Sequence, residues 1–279
     1  MQALSRRKLK LVTLDNNVSL AQREYVKKYL INQRKISTLQ ILIFVAFLAM
    51  WEIGAQIGFI DAFIFSSPSR VVKSMCQMAQ GGELFYHLGI TLLETLLSFA
   101  FVNIFGIALA VLLWWNHNIS KVLEPYLVVL NSLPKSALAP VFIVWLGNNM
   151  KTIIIAAISV SVFGTIITLY TDFKSVEEDK VKLIRTLGGT KKDVLWKVVL
   201  PSNIPSMISL MKVNIGLSLV GVIIGEFLAA KAGLGYLIIY GSQVFKLDWV
   251  ILSIILLCIL ATVLYKGLGW IEKRYGEHA

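Results

Sequence analysis

The sequence predicts an all-α polytopic membrane protein with six transmembrane helices. Of its 279 residues, 57% are hydrophobic and the mean hydropathy is +0.73. This is more apolar surface than one soluble core of that size can bury. Six stretches approach the roughly 20 mostly apolar residues that cross a bilayer as a helix. The charged residues concentrate between these stretches, as expected for loops outside the membrane.

The six predicted spans differ in regularity. Pro134, Lys135 and Pro140 interrupt the third, and Lys212 and Glu226 lie within the fifth. We count both as spanning, because irregular backbone and charge are tolerated in a membrane where protein or a cavity surrounds them. The spans are predicted over residues 39–58, 88–115, 123–146, 152–170, 204–228 and 250–269.

The first span follows a polar tail and is too long for the apolar core of a signal peptide, so we interpret it as a retained anchor. We divide the chain into a basic tail (1–37), a transmembrane domain (38–272) and a C-terminal tail (273–279). In the basic tail, Tyr25, Val26, Tyr29 and Leu30 recur at helical spacing beside basic residues, which indicates a helix on the membrane surface. A disordered basic leader is the alternative.

The basic residues predict the orientation. Most of the 27 Lys and Arg lie in the N-terminal tail, between the fourth and fifth spans, and after the sixth span. Because Lys and Arg accumulate in cytoplasmic loops, both termini and the segment 174–202 are predicted to face the cytoplasm.

Glycine and proline indicate two further features. Pro68 and the pair Gly81 and Gly82 bracket a predicted short helix in the first outer loop. Gly221 and Gly225 form a G-x-x-x-G pattern, which permits close helix approach but is a weak signal, since glycine is common in membrane helices.

The cytoplasmic segment 174–202 contains two predicted helix starts. Ser175 with Glu178, and Thr190 with Asp193, each match the S/T-x-x-D/E capping pattern. In this pattern a side-chain oxygen accepts a hydrogen bond from a backbone N–H that has no partner within the helix. The segment is therefore predicted to hold two consecutive helices.

The ends of these two helices are also predicted. Gly188 and Gly189 end the first, and Pro201 ends the second. One face of the second helix is apolar, which is typical of a helix at an interface. A connector lying against the headgroups would show the same pattern, so a protein partner does not follow from this face alone. The face consists of Val194, Leu195, Val198 and Val199.

The spacing within this segment resembles the "EAA" loop of permease subunits of ABC importers. Gly188 is followed after nine residues by Val198, and after one more by Leu200 and Pro201, as in the second half of that motif. In the first half, this chain has Lys182, Leu183 and Ile184 where the family has Glu, Ala and Ala. The docking surface is then expected to keep its shape and to differ in charge and bulk.

The resemblance extends from about residue 65 to 272. The motifs "SPSRV", "NSLPKSALAPVFIVWLG" and "GEFLAAKAGLGYLI", with the Leu-Pro segment, are similar in order and spacing to the nitrate/sulfonate/taurine branch of these permeases, which includes importers of vitamin precursors. The chain departs from this branch at Glu94, where relatives often carry Arg, and at Lys135.

The resemblance implies a permease subunit in the cell membrane. It would pair with a second copy or a paralogue, bind separate ABC ATPase subunits, and receive substrate from an extracytoplasmic binding protein. The chain has no G-x-x-x-x-G-K-[ST] sequence, so ATP and Mg²⁺ are expected on the partner ATPase and no cofactor on this chain. The resemblance assigns ATPase coupling to Lys182, Leu183, Ile184, Gly188, Gly189, Val198, Leu200 and Pro201.

Ionisable residues within spans are costly and therefore indicate function. Lys135, Glu226 and Glu94 are candidates to line a translocation path, with a structural role as the alternative for each. Lys212 is interpreted as extending its ammonium group toward the inner surface. Glu52 is placed near the outer half of the first span.

Other functions find little support in the sequence. Cys76 and Cys258 form no C-x-x-C or Cys/His cluster, so no disulfide framework or metal site is indicated. The net charge of +11 falls at membrane boundaries, which argues against nucleic acid. A membrane-embedded enzyme and an ATP-independent secondary transporter or channel are the remaining alternatives, and the substrate stays open. The three histidines are interpreted as incidental: His87, His117 and His278.

Overall fold

A computed structural model describes residues 19–276, and within this range every regular element is helical. The predicted all-α class is confirmed. The chain divides into two compact units, residues 1–69 and residues 70–279. The elements are α1 (Leu20–Gln56), α2 (Ala62–Phe65), α3 (Pro68–Gln80), α4 (Glu83–Trp115), α5 (His117–Ser132), α6 (Lys135–Leu146), α7 (Met150–Lys174), α8 (Glu178–Thr186), α9 (Lys191–Val194), a π-helical turn (Leu195–Val199), α10 (Leu200–Ala229), α11 (Leu234–Gln243) and α12 (Leu247–Gly276).

Within the described residues, five helices are long and apolar enough to cross a membrane: α1, α4, α7, α12 and the helical run from α9 through α10. The sixth predicted span is the pair α5 and α6, which meet at an angle of 97°. The expectation of one irregular span over 123–146 is corrected to two helices with a sharp break. Leu133 and Pro134 are extended at this break. Since proline disfavours the helical conformation of the residue before it, the chain bends here.

The first unit contains one long helix. α1 begins at Ser19, whose side chain accepts a hydrogen bond from the backbone N–H of Gln22. It then runs to Gln56 without interruption, so residues 20–37 continue directly into the first span. The predicted boundary between tail and membrane domain therefore lies inside a helix. No proline, and no glycine before Gly54, interrupts this stretch. The parts of the two tails at residues 1–18 and 277–279 lie outside the described residues.

The second unit is built on the close approach of α7 and α10. A Cβ atom at Gly221 would lie 2.6 Å from the Cα of Ala157, and one at Gly225 would lie 3.1 Å from the Cα of Ile153. Only glycine allows two backbones to come this close. The G-x-x-x-G pattern therefore forms a helix contact here. α4 approaches the same pair from another side, since a Cβ at Gly106 would lie 2.6 Å from the side chain of Thr165.

Polar side chains connect these three helices inside the bundle. Asn214 of α10 donates a hydrogen bond to the side-chain oxygen of Asn103 of α4 (3.1 Å), and it accepts one from the hydroxyl of Thr165 of α7 (3.0 Å). Asn103 also donates to the carbonyl of Phe99 (2.7 Å). Because a polar group without a partner is costly in an apolar interior, these bonds favour one register of the helices.

The short helix predicted to begin at Pro68 is confirmed as α3. Pro68 is its first residue, and the chain turns after it through Gly82, whose φ is +77°. α3 buries Val71 and Met78. Toward α12, the Arg70 guanidinium lies 3.4 Å from the Asp248 carboxylate.

We predict that Gly221→Ala destabilises the protein, because the added methyl group would overlap the backbone of α7 at Ala157. Overpacking of this kind costs about 1–3 kcal/mol. Thermal unfolding of the detergent-solubilised protein measures the effect. Gly216→Ala is the matched control on the same helix, because a Cβ there meets nothing within 4 Å. Equal melting temperatures for the two variants would contradict the proposed close contact.

Candidate functional site

The segment 174–202 begins differently from the prediction. Ser175 does not cap α8; it is the C-terminal cap of the preceding helix, with helical dihedral angles, and its hydroxyl donates to the carbonyl of Asp172 (2.9 Å). Glu177 precedes α8 and makes no side-chain capping bond. The reason is that the fourth span extends to Lys174, which leaves Ser175 at a helix C-terminus.

The glycine turn after α8 is confirmed in detail. Gly188 has φ +82°, a left-handed conformation that favours glycine. Its N–H donates to the carbonyl of Arg185 (3.0 Å), and the N–H of Gly189 donates to the carbonyl of Ile184 (2.9 Å). These two bonds form a Schellman motif, which satisfies carbonyls at the helix end. The turn therefore has a fixed geometry.

The second predicted cap is also confirmed. The Thr190 hydroxyl accepts from the N–H of Asp193 (3.3 Å), and the Asp193 carboxylate accepts from the N–H of Thr190 (2.9 Å). Lys197 lies 3.0 Å from the same carboxylate. The reciprocal bonds form a capping box and fix the direction in which α9 leaves the glycine turn.

Pro201 does not end the second helix, contrary to the prediction. A π-helical turn over Leu195–Val199 follows α9, and the N–H of Leu200 donates to the carbonyl of Leu195. α10 then continues from Leu200 to Ala229. Pro201 is tolerated because the π-helical turn directly before it interrupts the regular hydrogen bonds that would require its N–H. The second helix of the segment is thus continuous with the fifth span.

The apolar face predicted for the second helix is buried in the protein. It packs into a core formed with the C-terminal ends of α4 and α7, so it is not a surface lying on headgroups. This packing anchors α9 to the bundle. The buried residues of the cluster are Ala110, Leu113, Val162, Ile166, Leu169, Tyr170, Phe173, Val194, Leu195 and Val199, and Val198 is also buried.

The eight residues assigned to coupling fall into two groups. Val198 is buried, and Ile184, Gly189 and Leu200 are half-buried, so these four shape the segment from within. The other four residues are exposed and form the outward group. One of them, Lys182, forms ion pairs with the two acidic residues of the first turn of α8, at 3.3 and 3.6 Å. The outward group consists of Lys182, Leu183, Gly188 and Pro201.

Two exposed apolar residues escaped the sequence analysis. Leu187 is 76% exposed and Trp196 is 63% exposed, and Leu183, which was assigned to coupling, is 60% exposed. α8 itself has no buried residue. Their exposure could have been predicted, because neither Leu187 nor Trp196 belongs to the apolar face identified in the second helix. The segment therefore combines an anchored second helix with an apolar outer surface.

A second cluster lies at the opposite ends of the same helices. Three successive backbone N–H groups at the start of α11 donate hydrogen bonds to side chains. The N–H of Gly233 donates to Nδ1 of His87 (3.0 Å), that of Leu234 to Oγ1 of Thr91 (2.8 Å), and that of Gly235 to Oε2 of Glu226 (2.5 Å). We call these six residues the outer cluster. Backbone N–H groups of a first turn have no partner within the helix, so the cluster fixes α11 to α4 and α10.

Glu226 is the centre of the outer cluster. Its side chain is 1% exposed, and its Oε1 accepts a hydrogen bond from the hydroxyl of Thr91 (2.7 Å). A Cβ at Gly235 would lie 2.8 Å from the carboxylate, so glycine is required for this approach. Glu94, which is 2% exposed, lies at hydrogen-bond distance from Glu226. The structure thus brings together two of the three candidate path residues.

The other intramembrane charges lie elsewhere. Lys135 is the first residue of α6 and donates to the carbonyl of Asn131, next to the break between α5 and α6. Lys212 forms an ion pair with Glu272, near the C-terminal end of α12. Glu52 accepts hydrogen bonds from the N–H (3.0 Å) and hydroxyl (2.8 Å) of Ser69.

Most of the outer cluster was not predicted from the sequence. His87 was interpreted as incidental, but it lies in α4 and its Nδ1 accepts a hydrogen bond from the N–H of Gly233. His87, Thr91 and Glu94 are spaced by four and three residues, which places them on one face of a helix. That spacing could have predicted that these three polar side chains lie together on α4. Their partner, the G-L-G sequence at 233–235, gives no local indication of what it contacts.

A family model described as "Binding-protein-dependent transport system inner membrane component" matches residues 102–276. This range contains the whole segment 174–202 and the α10 and α11 parts of the outer cluster.

Two relatives and one solved structure illustrate the similarity. A "Probable ABC transporter permease protein" of Haemophilus influenzae is 28% identical over 86% of this chain and 98% of its own length. The formylaminopyrimidine transport permease protein ThiX of Halalkalibacterium halodurans is 29% identical over 70% of this chain and 77% of its own length. A chain of the inward-facing MetNI methionine ABC transporter has the same fold, with a TM-score of 0.59, 17% identity, and coverage of 67% of this chain and 94% of that one.

We predict that Thr91→Val loosens the start of α11. The substitution keeps the shape of the side chain but removes the donor to Glu226 and the acceptor for Leu234. Each buried group left without a partner costs about 1–3 kcal/mol. Hydrogen–deuterium exchange of a peptide covering 233–237 should become faster. Thr171→Val is the control, because that hydroxyl is exposed and bonds only to the carbonyl of Ile167. Unchanged exchange in Thr91→Val would contradict the role of the outer cluster.

Proposed function

The chain belongs to the family of binding-protein-dependent transport system inner membrane components, and on this premise we propose that it is the permease subunit of an ABC importer, driven by a separate ATPase. It is a multi-pass membrane protein, with five candidate spans and a bent helix pair that can serve as a sixth. A permease of this kind is not itself an enzyme. The observation that carries the proposal is the construction of the segment 174–202.

We assign ATPase docking to the outward surface of this segment. α8 has no buried residue, and Leu183 and Leu187 lie four residues apart near its end, which places two exposed leucines on neighbouring turns. Exposed apolar side chains on a cytoplasmic helix are typical of a protein interface. Lys182 adds a positive charge that is already paired within α8, so the surface is less basic than the sequence suggests.

The second half of the segment, α9 and the π-helical turn, connects the proposed docking surface to the fifth span. α9 is packed in the core with α4 and α7, and the π-helical turn joins it to α10 without a flexible loop. A force applied at α8 through the capped turn therefore reaches the fifth span. Movement requires that the ATPase bind one conformation of the permease more tightly than the other, because a partner with equal affinity for both shifts no population.

The remaining partners follow from the family and the charge distribution. A second copy or a paralogue would complete the path, and an extracytoplasmic binding protein would deliver substrate at the end of the bundle that carries the outer cluster. Both termini and the segment 174–202 would lie in the cytoplasm, where Lys and Arg accumulate. We expect no cofactor on this chain, because ATP and Mg²⁺ would be held by the ATPase.

The substrate is proposed to be a small polar organic solute. The motif resemblance favours either a sulfonate-like or nitrate-like anion, such as taurine, or a vitamin precursor. The relative named for formylaminopyrimidine transport supports the second class. Lys135, Glu94 and Glu226 are the intramembrane residues we assign to the path or its support.

Co-purification tests the proposed function. When the chain is expressed with the ATPase and binding protein encoded beside it, we expect a stable complex with the ATPase and ATP-dependent uptake in proteoliposomes. An ATP-independent transporter or a membrane-embedded enzyme would show no stoichiometric ATPase. Uptake by this chain alone in vesicles without ATP would overturn the proposal.

We predict that Gly188→Trp uncouples ATP hydrolysis from uptake while leaving membrane insertion intact. Its Cβ would meet nothing within 4 Å, so the indole would project from the turn toward the docking partner. The φ of +82° adds about 1–2 kcal/mol of backbone strain for a residue other than glycine. Gly188→Asn is the control, because asparagine tolerates this conformation and is small. Normal uptake by both variants would count against docking at the turn.

A further inference from the structure

A cavity of about 440 Å³ lies between α8 and the C-terminal ends of α4 and α7. Its volume is within the range of small-molecule sites. α4 and α7 are both candidate membrane spans, and they end at Trp115 and Lys174, where apolar sequence gives way to polar sequence. The cavity therefore lies at the level of the phospholipid headgroups, at one end of the bundle.

Part of the cavity wall is apolar. Phe173 and Val199 line it and are almost completely buried in the core that also holds the second helix of the segment. Val176 and Val181 also line it and are half-buried. Trp114 completes this wall, and tryptophan is favoured where lipid meets water. The cavity therefore offers apolar contact as well as charge.

The other side chains at the cavity are mostly basic. Lys174 ends α7, Lys191 begins α9, and the rest belong to α8. Among the described residues that line the cavity, Glu178 is the single acid, and its carboxylate pairs with Lys182 at 3.3 Å. The basic residues are Lys174, Lys182, Arg185 and Lys191.

Three of these cations have no acidic partner among the described residues: Lys174, Arg185 and Lys191. The four acidic residues of the segment 174–202 all pair with other basic residues, at 3.0 to 3.6 Å. The pairs are Glu177 with Lys180, Glu178 and Asp179 with Lys182, and Asp193 with Lys197. The cavity therefore carries positive charge that the segment does not compensate.

The same three cations keep hydrogen-bond donors for a ligand. Lys174 lies over the ring of Tyr170, 5.9 Å from its centroid. Lys191 donates to the carbonyl of Trp115 (2.5 Å), which uses one of its three N–H groups. The side chain of Arg185 has no hydrogen bond, ion pair or ring contact among the described residues, so its five N–H groups are available.

We propose that this cavity binds the phosphate group of an anionic phospholipid, with Arg185, Lys174 and Lys191 donating to its oxygens. A guanidinium and a phosphate form paired charge-assisted hydrogen bonds, and basic residues next to a bilayer attract anionic lipids. The apolar wall and the position at the end of two spans favour a lipid over a free phosphate ion, which would gain nothing from either. The site goes beyond the importer function and requires only that the chain lies in a membrane.

Such a lipid would fasten α8 to the bundle. α8 has no buried residue, and within it Val181 and Ile184 alone are half-buried. Arg185 belongs to α8, whereas Lys174 and Lys191 belong to α7 and α9. One phosphate held by all three therefore joins α8 to the elements on both sides of it.

The test measures hydrogen–deuterium exchange of a peptide covering α8. The full chain is reconstituted in nanodiscs of phosphatidylcholine with increasing fractions of phosphatidylglycerol. We expect phosphatidylglycerol to slow the exchange, because it holds α8 against the bundle. In Arg185→Gln, the half-maximal effect should need about fivefold more phosphatidylglycerol, since one basic residue near an anionic surface contributes roughly that factor. No slowing by phosphatidylglycerol in the unmodified chain would overturn the proposal.

Two further variants separate the cavity from general attraction to the membrane surface. Lys174→Gln removes a cation of the cavity from a different helix and should behave like Arg185→Gln. Lys192→Gln is the matched control, because Lys192 is exposed, carries the same charge and does not line the cavity. Its dependence on phosphatidylglycerol should stay close to that of the unmodified chain. Equal losses in Arg185→Gln and Lys192→Gln would overturn the site.

A soluble probe identifies the source of the phosphate. Glycerol 1-phosphate, added to nanodiscs of phosphatidylcholine alone, should leave the exchange of α8 unchanged, because it lacks the acyl chains that hold a lipid at the membrane. Slowing by glycerol 1-phosphate to the extent seen with phosphatidylglycerol would assign the cavity to a soluble phosphate and overturn the lipid.

Discussion

The contact between α7 and α10 is the constraint on which the other features depend. Gly221 and Gly225 let the two backbones approach to distances that no other residue allows. This fixes the position of α10, and α10 adjoins a candidate site at each end: the segment proposed to dock the ATPase leads into Leu200, and Glu226 lies three residues before the last residue of the helix. The bonds among Asn103, Thr165 and Asn214 hold α4 in the same arrangement, so α4, α7 and α10 form one rigid group.

α10 joins the two candidate sites mechanically. Its 30 residues extend about 45 Å at 1.5 Å per residue, which is enough to cross a membrane. The π-helical turn connects it to α9 on one side, and the bond from Gly235 to Glu226 connects it to α11 on the other. A tilt of α10 driven from its α9 end would therefore act on the outer cluster without an intervening loop. This is a continuous physical connection between two sites, which a claim of coupling requires.

Capping and turn patterns in the sequence predicted those parts of the fold that are formed by residues close together in the chain. The capping box at Thr190 and the turn at Gly188 followed from a few adjacent residues and were found as predicted. The predictions were wrong where packing between helices determines where a helix ends. Ser175 caps the C-terminus of the preceding helix, and the helix continues past Pro201 after a π-helical turn whose apolar side is buried. The outer cluster was hidden for the same reason. His87 and Gly233 are 146 residues apart, and nothing in either local sequence indicates the other.

The contact between the carboxyls of Glu226 and Glu94 restricts the position of α10 relative to α4. Burying Glu226 is tolerable because the N–H of Gly235 and the Thr91 hydroxyl replace the water it loses. Glu94 is also buried and lies against Glu226, so each carboxyl is the neighbour of the other. A displacement of α10 that separated them would leave both carboxyls in an apolar interior without that neighbour, and this cost favours the observed position of α10 relative to α4.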